Sequence, residues 1–245
     1  MSQTSHAVLI FGATGGIGAA LARRLTAAGT PVFLCARREE PLAALGAELG
    51  AQWLTADATD WGEIDRATDA AVAAHGGLGG IANCVGSLLL KPAHLTKFEE
   101  FQQTIAQNLT SAFGAVRAAA RVMPTGGSVA LCTTAAARIG LANHEAIAAA
   151  KGGVQGLVLS AAATYASRGL RVNAVAPGLV DTPLTSRITA SPAALQASQS
   201  MHALGRVGTP NDVAGVMAFL LGTDAAWVTG QVYGVDGGLG TVRSK

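Results

Sequence analysis

The sequence predicts a single-domain α/β fold, a doubly wound parallel sheet of seven strands with helices on both faces. Short apolar runs rich in β-branched residues alternate along the chain with longer, alanine-rich segments of helical periodicity. Each run is apolar almost throughout, which is typical of parallel strands covered on both faces. No linker, low-complexity tract or short repeat divides the 245 residues, so residues 1–245 are predicted to form one domain.

The elements follow in order from this pattern. The predicted strands are HAVLIFG, PVFLCAR, AQWLTAD, GIANCVG, GSVALCTT, RVNAVAPG and GQVYGVDGG. The predicted helices are GIGAALARRLTAAG, which Gly29 ends, then REEPLAALGAELG, WGEIDRATDAAVAAHG, FEEFQQTIAQNLTSAFGAVRAAARVM, the segment that contains Lys151 and runs to about Arg168, and PNDVAGVMAFLLG. The strand runs are short, and the helical segments are longer and rich in alanine.

The stretch 182–208, TPLTSRITASPAALQASQSMHALGRVG, interrupts the alternation and is rich in Ser, Thr and Ala. A long insertion in this kind of fold is predicted to form a lid over the functional site, and the alternative is an ordinary surface connection. Its larger apolar residues would line a pocket for a small, moderately apolar molecule: Leu184, Ile188, Leu195 and Met201.

Composition narrows the function classes. Half of the residues are hydrophobic and 13% are charged, and a net charge of +2 without a basic run argues against nucleic acid as a partner. The three cysteines lie far apart in or beside predicted strands, without metal-ligand spacing, so we expect buried thiols and no metal site. No signal-peptide pattern opens the chain and no apolar run is long enough to span a membrane, so we expect a cytoplasmic protein.

The glycine-rich stretch FGATGGIG joins the first predicted strand to the first predicted helix. Glycines there let the backbone approach a pyrophosphate, and a helix N-terminus supplies unpaired N–H groups. This context predicts a Rossmann-type dinucleotide site. Its candidate residues are Gly12, Thr14, Gly16, Ile17 and Gly18.

The end of the second strand indicates which dinucleotide binds. A carboxylate there would hold the 2′-hydroxyl of NAD, but the sequence LCARREE places Arg37 and Arg38 at this point. Guanidinium groups bind phosphate, so we predict NADP(H) as the cofactor. The alternative is that both arginines cap a solvated helix and pair with Glu39 and Glu40.

With these residues in hand, the chain resembles the short-chain dehydrogenase/reductase family over essentially its whole length. The likeness is carried by GATGGIG, by Asp57 in TADATD, by NCVG at 83–86, by Asn108 in IAQNLTSAF, by RVNAVAPGLVDTPL and by TGQVYGVDGG. The resemblance implies that Asp57 contacts the adenine and that Asn83 and Gly86 border the cofactor. The segment after the sixth strand would border the nicotinamide through Pro177, Gly178, Val180 and Thr182.

The resemblance also implies a catalytic Ser, Tyr and Lys, and here the chain departs from the family. Counting back from Lys151 places Ile147 at the tyrosine position and Thr134 at the serine position. Threonine keeps a hydroxyl that can orient a carbonyl oxygen, whereas isoleucine has no proton to give. Lys151 would hold the nicotinamide ribose, and Asn108 would anchor a proton-relay water. The resemblance further implies a homo-oligomer, a tetramer or a dimer.

One residue is a candidate to replace the tyrosine. At about 100° per residue, His144 lies on the same helical stripe as Ile147 and Lys151. Near a helix N-terminus a neutral imidazole could donate N–H to a developing alkoxide. The spacing from His144 to Lys151 also resembles the tyrosine–lysine spacing of the enoyl-thioester reductase branch. The alternative is a helix-start residue without chemistry; His94 and His202 are predicted to be surface residues.

Two functions remain open at this point. The first is an NADP(H)-dependent oxidoreductase that reduces a carbonyl or polarised alkene through an atypical site of Thr134, Lys151, Asn108 and His144. The second is an inactive NADP(H)-binding sensor or partner subunit, favoured by Ile147 and by the altered NCVG segment.

Overall fold

A computed structural model describes residues 7–242, and it places seven strands in one parallel sheet. The strand order is β3-β2-β1-β4-β5-β6-β7, and the pairs are parallel throughout. The strands are β1 Ala7–Phe11, β2 Val32–Ala36, β3 Gln52–Thr55, β4 Leu78–Asn83, β5 Gly127–Cys132, β6 Leu170–Pro177 and β7 Val232–Val235.

Nine α-helices accompany the strands within residues 7–242. They are α1 Gly16–Ala27, α2 Glu39–Leu49, α3 Trp61–His75, α4 Phe98–Ile105, α5 Ser111–Val122, α6 Glu145–Tyr165, α7 Ser186–Thr189, α8 Pro192–Met201 and α9 Pro210–Leu221. Helices α1, α2 and α9 cover one face of the sheet, and α3, α5 and α6 cover the other. The predicted fold class is confirmed.

The strands are apolar throughout because both of their faces are buried. In β1, Leu9 and Phe11 pack into the cluster under α3, α5 and α6, while Val8 and Ile10 pack into the cluster under α1, α2 and α9. Strand order reverses beside β1, since β2 and β4 are its two neighbours. The carboxyl ends of β1 and β4 therefore flank the crevice in which doubly wound folds bind ligands.

The long helix predicted over residues 98–123 is interrupted. Between α4 and α5 the backbone forms a π turn, Ala106–Thr110, with Asn108 buried inside it. Polar side chains bond the carbonyls around the turn: Thr104 Oγ1 donates to Glu100 O at 2.8 Å, and Asn108 Nδ2 donates to Thr104 O at 2.9 Å. Such bulges often lie at functional sites.

Helix α6 contains Lys151 and packs against β6. By length and composition alone the segment Glu145–Arg168 is apolar enough to cross a membrane, so the expectation that no such run exists was wrong on that criterion. Its buried positions recur at helical spacing, as in Ala150, Val154 and Val158, and belong to the core. A core helix accounts for the apolar run.

The stretch 182–208 contains α7 and α8 and returns to its starting point. Asp181 N–H donates to Gly208 O at 2.9 Å, and Gly208 N–H donates to Leu179 O at 2.8 Å, so a short parallel bridge closes its base. The stretch is thus an excursion from the carboxyl edge of the sheet. That it acts as a lid stays a prediction, as does the extent of the domain over residues 1–245.

Candidate active site

The glycine loop after β1 lies against the end of β4. Gly12 has φ of +74°, and a Cβ on it would lie 2.9 Å from both Cys84 C and Val85 N. A Cβ on Gly18 would lie 2.2 Å from Gly12 O. Only residues without a side chain allow this approach, so the tight turn predicted from GATGGIG is present.

The loop also forms a cradle with the segment after β6. A Cβ on Gly16 would lie 2.7 Å from Thr182 Cγ2, which brings the predicted phosphate and nicotinamide segments together. Helix α1 begins at Gly16, its N-cap Gly15 makes no side-chain bond, and no acidic residue lies in the first turn. Unpaired N–H groups without a competing carboxylate fit a pyrophosphate. Thr14 and Ile17 are half-buried in the same loop.

Arg37 and Arg38 lie between β2 and α2, at the carboxyl edge of the sheet. The Arg37 side chain is 64% exposed, and its Nη1 lies 4.0 Å from Asp57 Oδ2. Among the described residues neither arginine forms an ion pair with Glu39 or Glu40, contrary to the alternative raised for them. Arg38 occupies the N-cap position of α2 but makes no side-chain cap. Both guanidinium groups are therefore accessible to an added phosphate.

Asp57 follows β3 and is held by its own turn. Its Oδ1 accepts hydrogen bonds from Thr59 N–H at 2.9 Å and from Thr59 Oγ1 at 2.8 Å, while Asp57 N–H donates to Glu63 Oε2 at 2.7 Å. The carboxylate thus lies between Arg37 and the start of α3, on the side where the second strand ends.

Lys151 joins α6 to the end of β5. Its Nζ donates to Cys132 O at 2.6 Å, and Thr133 Oγ1 donates to Lys151 O at 2.9 Å. The lysine is 6% exposed, and this burial lowers its pKa because the interior disfavours the charged amine. The reciprocal bonds fix the amine at the carboxyl edge of the sheet, while its other N–H groups remain for a ligand.

Two further predicted site residues, Gly86 and Asn108, meet beside this amine. A Cβ on Gly86 would lie 3.1 Å from Asn108 Oδ1 and 3.6 Å from Lys151 Nζ. Asn108 is held there by Ser87, because Oδ1 accepts from Ser87 N–H at 3.2 Å and Nδ2 donates to Ser87 Oγ at 2.9 Å. The π turn therefore presents Asn108 to the loop that follows β4.

Asn83 supports that loop from below. It ends β4, is buried, and accepts from Val85 N–H at 3.0 Å, while its Nδ2 donates to Ser111 Oγ at 3.1 Å. The side chain thus ties the turn after β4 to the start of α5 and supports the position of Gly86, while its place beside the cofactor stays a prediction.

Thr134 follows β5 and faces the end of β6. Its hydroxyl lies 3.5 Å from Pro177 O and accepts from Ala136 N–H at 3.3 Å, which caps a short 3₁₀ turn. Thr133, which adjoins it, is buried and committed to Lys151. Of the two threonines, only Thr134 has a hydroxyl that is half-buried at the crevice and directed toward the Pro177–Gly178 segment.

Ile147 lies on the buried face of α6, four residues before Lys151, and is 4% exposed. Its side chain is apolar, so position 147 of α6 offers no proton donor. The predicted stripe does not extend to His144, because α6 begins at Glu145 and His144 is a non-helical cap with φ of −107° and ψ of 11°.

The environment of His144 restricts its chemistry. Asn143 before it adopts a left-handed φ of 64°, and His144 Nδ1 lies 2.8 Å from Ala142 O. A carbonyl only accepts, so Nδ1 carries the proton and Nε2 of the neutral ring has none. The expected neutral N–H donor is therefore engaged by the backbone, and only an imidazolium could release a proton from Nε2.

The segment after β6 is held by a residue that the sequence reasoning missed. Thr185 Oγ1 accepts from Thr182 N–H at 3.1 Å and lies 3.0 Å from Thr182 Oγ1, and it also bonds Val180 O. The spacing of two threonines around Pro183 was the available signal, since such hydroxyls commonly close local turns.

One histidine prediction was wrong. His94 is exposed as expected, but His202 is 3% exposed and lies against Gly178. No local pattern marked its burial, because the segments that enclose it are the loop after β6 and the turn after β7. Within residues 7–242 no group of three His, Cys, Asp or Glu side chains is arranged to hold a metal.

Comparison with known proteins agrees with this architecture. The family model described as "Enoyl-(Acyl carrier protein) reductase" matches residues 12–240. The cis-4-hydroxycyclohexanecarboxylate dehydrogenase of Sinomonas cyclohexanicum is 35% identical over 237 residues, which cover 94% of both chains. A solved short-chain type dehydrogenase/reductase from Mycobacterium ulcerans has a TM-score of 0.94 and 32% identity over 100% of this chain and 93% of its own.

A further relative differs in name. The inactive 2-(S)-hydroxypropyl-CoM dehydrogenase 2 of Xanthobacter autotrophicus is 36% identical over 227 residues, covering 89% of this chain and 99% of that protein. Relatives are thus named as oxidoreductases or as an inactive form of one, and the glycine cradle fits the nicotinamide dinucleotide that such enzymes use. The chain belongs to the short-chain dehydrogenase/reductase family.

Proposed function

We propose that the protein is an NADP(H)-dependent oxidoreductase that reduces a carbonyl or polarised alkene of a small, moderately apolar substrate without the family tyrosine. One observation carries the proposal: Lys151 Nζ is fixed at the carboxyl edge of the sheet, beside Gly86 and Asn108, within the same crevice as the glycine cradle. A buried amine beside a glycine and a buried amide, at the edge of the sheet where such folds bind ligands, supports a functional role for Lys151.

The reduced nicotinamide supplies a hydride when it is bound. The chain would bind its pyrophosphate through the α1 N-terminus and its 2′-phosphate through Arg37 and Arg38. The remaining N–H groups of Lys151 would be available to the ribose hydroxyls. The backbone of Pro177–Gly178 and the side chain of Thr182, which Thr185 holds, would border the nicotinamide.

Thr134 would orient the substrate by donating its hydroxyl proton to the substrate oxygen, in place of the long 3.5 Å hydrogen bond that it donates to Pro177 O. The part of the reaction left to the side chains of the site would be to deliver one proton to the substrate. A water held between Asn108 and Lys151 is the preferred proton source, because His144 Nδ1 is already bonded to Ala142 O. His144 remains the second source, through its imidazolium Nε2. As the resemblance implies, we propose a homo-oligomer, a dimer or a tetramer. We also propose a cytoplasmic location, because the protein's free thiols suit a reducing compartment.

Removal of the Arg37 guanidinium tests the cofactor assignment. Arg37→Ala is expected to raise the Kd for NADPH by about tenfold or more, since a hydrogen bond to a charged group contributes roughly 1.5–3 kcal/mol. The Kd for NADH is expected to change less than about twofold, because it lacks the 2′-phosphate. Fluorescence titration of both nucleotides measures the two constants.

The control for this variant is Arg23→Ala, which removes an exposed arginine that pairs with Glu48 on the surface. Its expected effect on either Kd is negligible, because exposed ion pairs contribute little. Equal weakening of NADPH and NADH by Arg37→Ala would remove the NADP(H) assignment.

The Thr134 hydroxyl is tested by Thr134→Val, which keeps the shape of the side chain. We expect kcat to fall about tenfold with an unchanged Kd for NADPH, since one neutral hydrogen bond contributes roughly 0.5–1.5 kcal/mol. Thr134→Ser restores the hydroxyl and most of the activity. His144→Ala is expected to lower kcat by a smaller factor than Thr134→Val does. If Thr134→Val and His144→Ala both leave turnover unchanged, these two assignments are withdrawn.

A second function has its own support. Ile147 is buried where the resemblance implies a proton donor, and one relative at 36% identity is named inactive. A binding-only sensor or partner subunit would bind NADPH tightly and oxidise it with no ketone, aldehyde, quinone or enone. Robust turnover by the wild-type protein excludes this alternative.

A further inference from the structure

His202 is engaged on both ring nitrogens. It follows α8 as its C-cap, is 3% exposed, and its Nδ1 lies 2.6 Å from Ser198 O. Its Nε2 lies 3.2 Å from Leu179 N, whose N–H donates to it. A backbone N–H only donates and a carbonyl only accepts, so the ring is the neutral tautomer protonated on Nδ1.

The backbone around the ring leaves space for this side chain. A Cβ on Gly178 would lie 2.5 Å from His202 Nε2, and a Cβ on Gly237 would lie 3.5 Å from His202 Cβ. Leu204 N–H donates to Gly237 O at 3.0 Å, which holds the chain just beyond the ring. The imidazole is therefore enclosed between the segment after β6 and the turn after β7.

Both ends of the excursion are tied to the same short segment. At its start, Thr185 bonds the backbone of Val180 and Thr182. At its end, His202 bonds Leu179. Helices α7 and α8 lie between these two ties, so both helices are anchored to the segment Leu179–Thr182.

The two hydrogen bonds of the His202 ring indicate that this side chain does more than fill space. An apolar side chain of similar volume would fill the same enclosure but would leave Leu179 N–H without this acceptor and Ser198 O without this donor. The ring also links the last turn of α8 directly to the residue after Gly178, which borders the nicotinamide in the proposed function.

We propose that His202 is a positioning residue, which we call a latch: its ring joins the end of α8 to Leu179 and thereby holds the Pro177–Gly178 backbone where the cofactor would bind. This inference rests on the proposed function for its effect on catalysis. Its structural part, the bond to Leu179, stands independently of turnover and is measured by itself.

Three variants separate the two bonds from packing. His202→Gln places an acceptor at about the reach of Nε2, His202→Asn keeps a donor near Nδ1 but loses the acceptor, and His202→Leu keeps only volume. Amide hydrogen exchange at Leu179 reports the Nε2 bond directly. Titration with NADPH and steady-state kinetics report its consequence.

The expected pattern is specific to a latch. Leu179 amide exchange accelerates about tenfold or more in His202→Asn and His202→Leu, while His202→Gln stays near the wild type. In the same two variants KM for substrate and Kd for NADPH rise about tenfold, and kcat changes less than about threefold. If His202→Leu does not fold, the contrast between the Asn and Gln variants carries the test.

Unchanged Leu179 exchange in His202→Asn overturns the proposal, and so does equal acceleration in all folded variants, including His202→Gln, which would mean packing alone. Failure of the proposed function has a different signature. A wild-type protein that binds no nicotinamide nucleotide would remove the reductase assignment, while the exchange pattern at Leu179 would still decide the latch.

Discussion

Ile147→Tyr is expected to raise NADPH-dependent reduction of a simple ketone by about 100-fold over the wild type, since a positioned general acid contributes roughly 10²–10⁴ in rate. The tyrosine would begin on the buried face of α6, one turn before Lys151, whose amine is already fixed by Cys132 O. Thr134 would face it from the end of β5. The expected gain therefore needs one hydroxyl and no other change in the site.

Ile147→Phe is the matched control. Both aromatic side chains add volume at a position that is 4% exposed, so both are expected to destabilise the fold by about 1–3 kcal/mol. Only the tyrosine adds a hydroxyl group that can donate a proton. Side-by-side NADPH oxidation over one panel of ketones, aldehydes, quinones and enones separates the hydroxyl from the packing change.

The wild-type protein in that panel decides between the two functions. Measurable turnover, raised by Ile147→Tyr and not by Ile147→Phe, supports a reductase that works with a weaker proton source. A silent wild type with an active tyrosine variant would replace the reductase proposal with the binding role. An inactive tyrosine variant that still binds NADPH would contradict the assignment of Thr134 and Lys151 to one site.

The parts of the fold that depend on local pattern were predictable. The run around Leu9 is apolar at every position because β1 is buried on both faces, and that pattern alone identifies a central parallel strand. The loop from Gly12 to Gly18 combines a strand end, glycines and a helix start within a few residues. Such features leave a signature in consecutive sequence.

The parts that depend on distant partners were not predictable. The sequence around Asn108 gives no sign of the π turn. In the structure, the turn is accompanied by hydrogen bonds of Asn108 with Ser87 and Thr104. The helical stripe predicted from Lys151 back to His144 stops short, because α6 begins one residue later, at Glu145. From the sequence, His202 looks like a polar residue of a Ser-rich loop. Its buried position depends on Leu179, which lies 23 positions earlier and donates its N–H to the ring. The contacts of Asn108 with Ser87 and of His202 with Leu179 exist only once the sheet has assembled.

Gly18→Ala is expected to raise the Kd for NADPH by at least about 100-fold, because the new Cβ would displace the loop that we propose as the pyrophosphate site. That Cβ would lie 2.2 Å from Gly12 O and 3.0 Å from Ala13 Cα. These are backbone atoms, which cannot rotate away as a side chain would. The free energy of unfolding is expected to fall by roughly 3 kcal/mol through the same overlap.

Gly156→Ala separates this effect from the general cost of replacing a glycine. Gly156 is exposed on α6, and no atom lies within 4 Å of the Cβ it would gain. We expect that variant to gain about 0.5–1 kcal/mol and to bind NADPH like the wild type. NADPH titration together with thermal unfolding then distinguishes weak binding caused by a displaced loop from weak binding caused by a less stable fold. Weak binding by a folded Gly18→Ala protein locates the pyrophosphate at the start of α1, whereas intact binding would place the nucleotide elsewhere and remove the basis for the roles of Arg37 and Lys151.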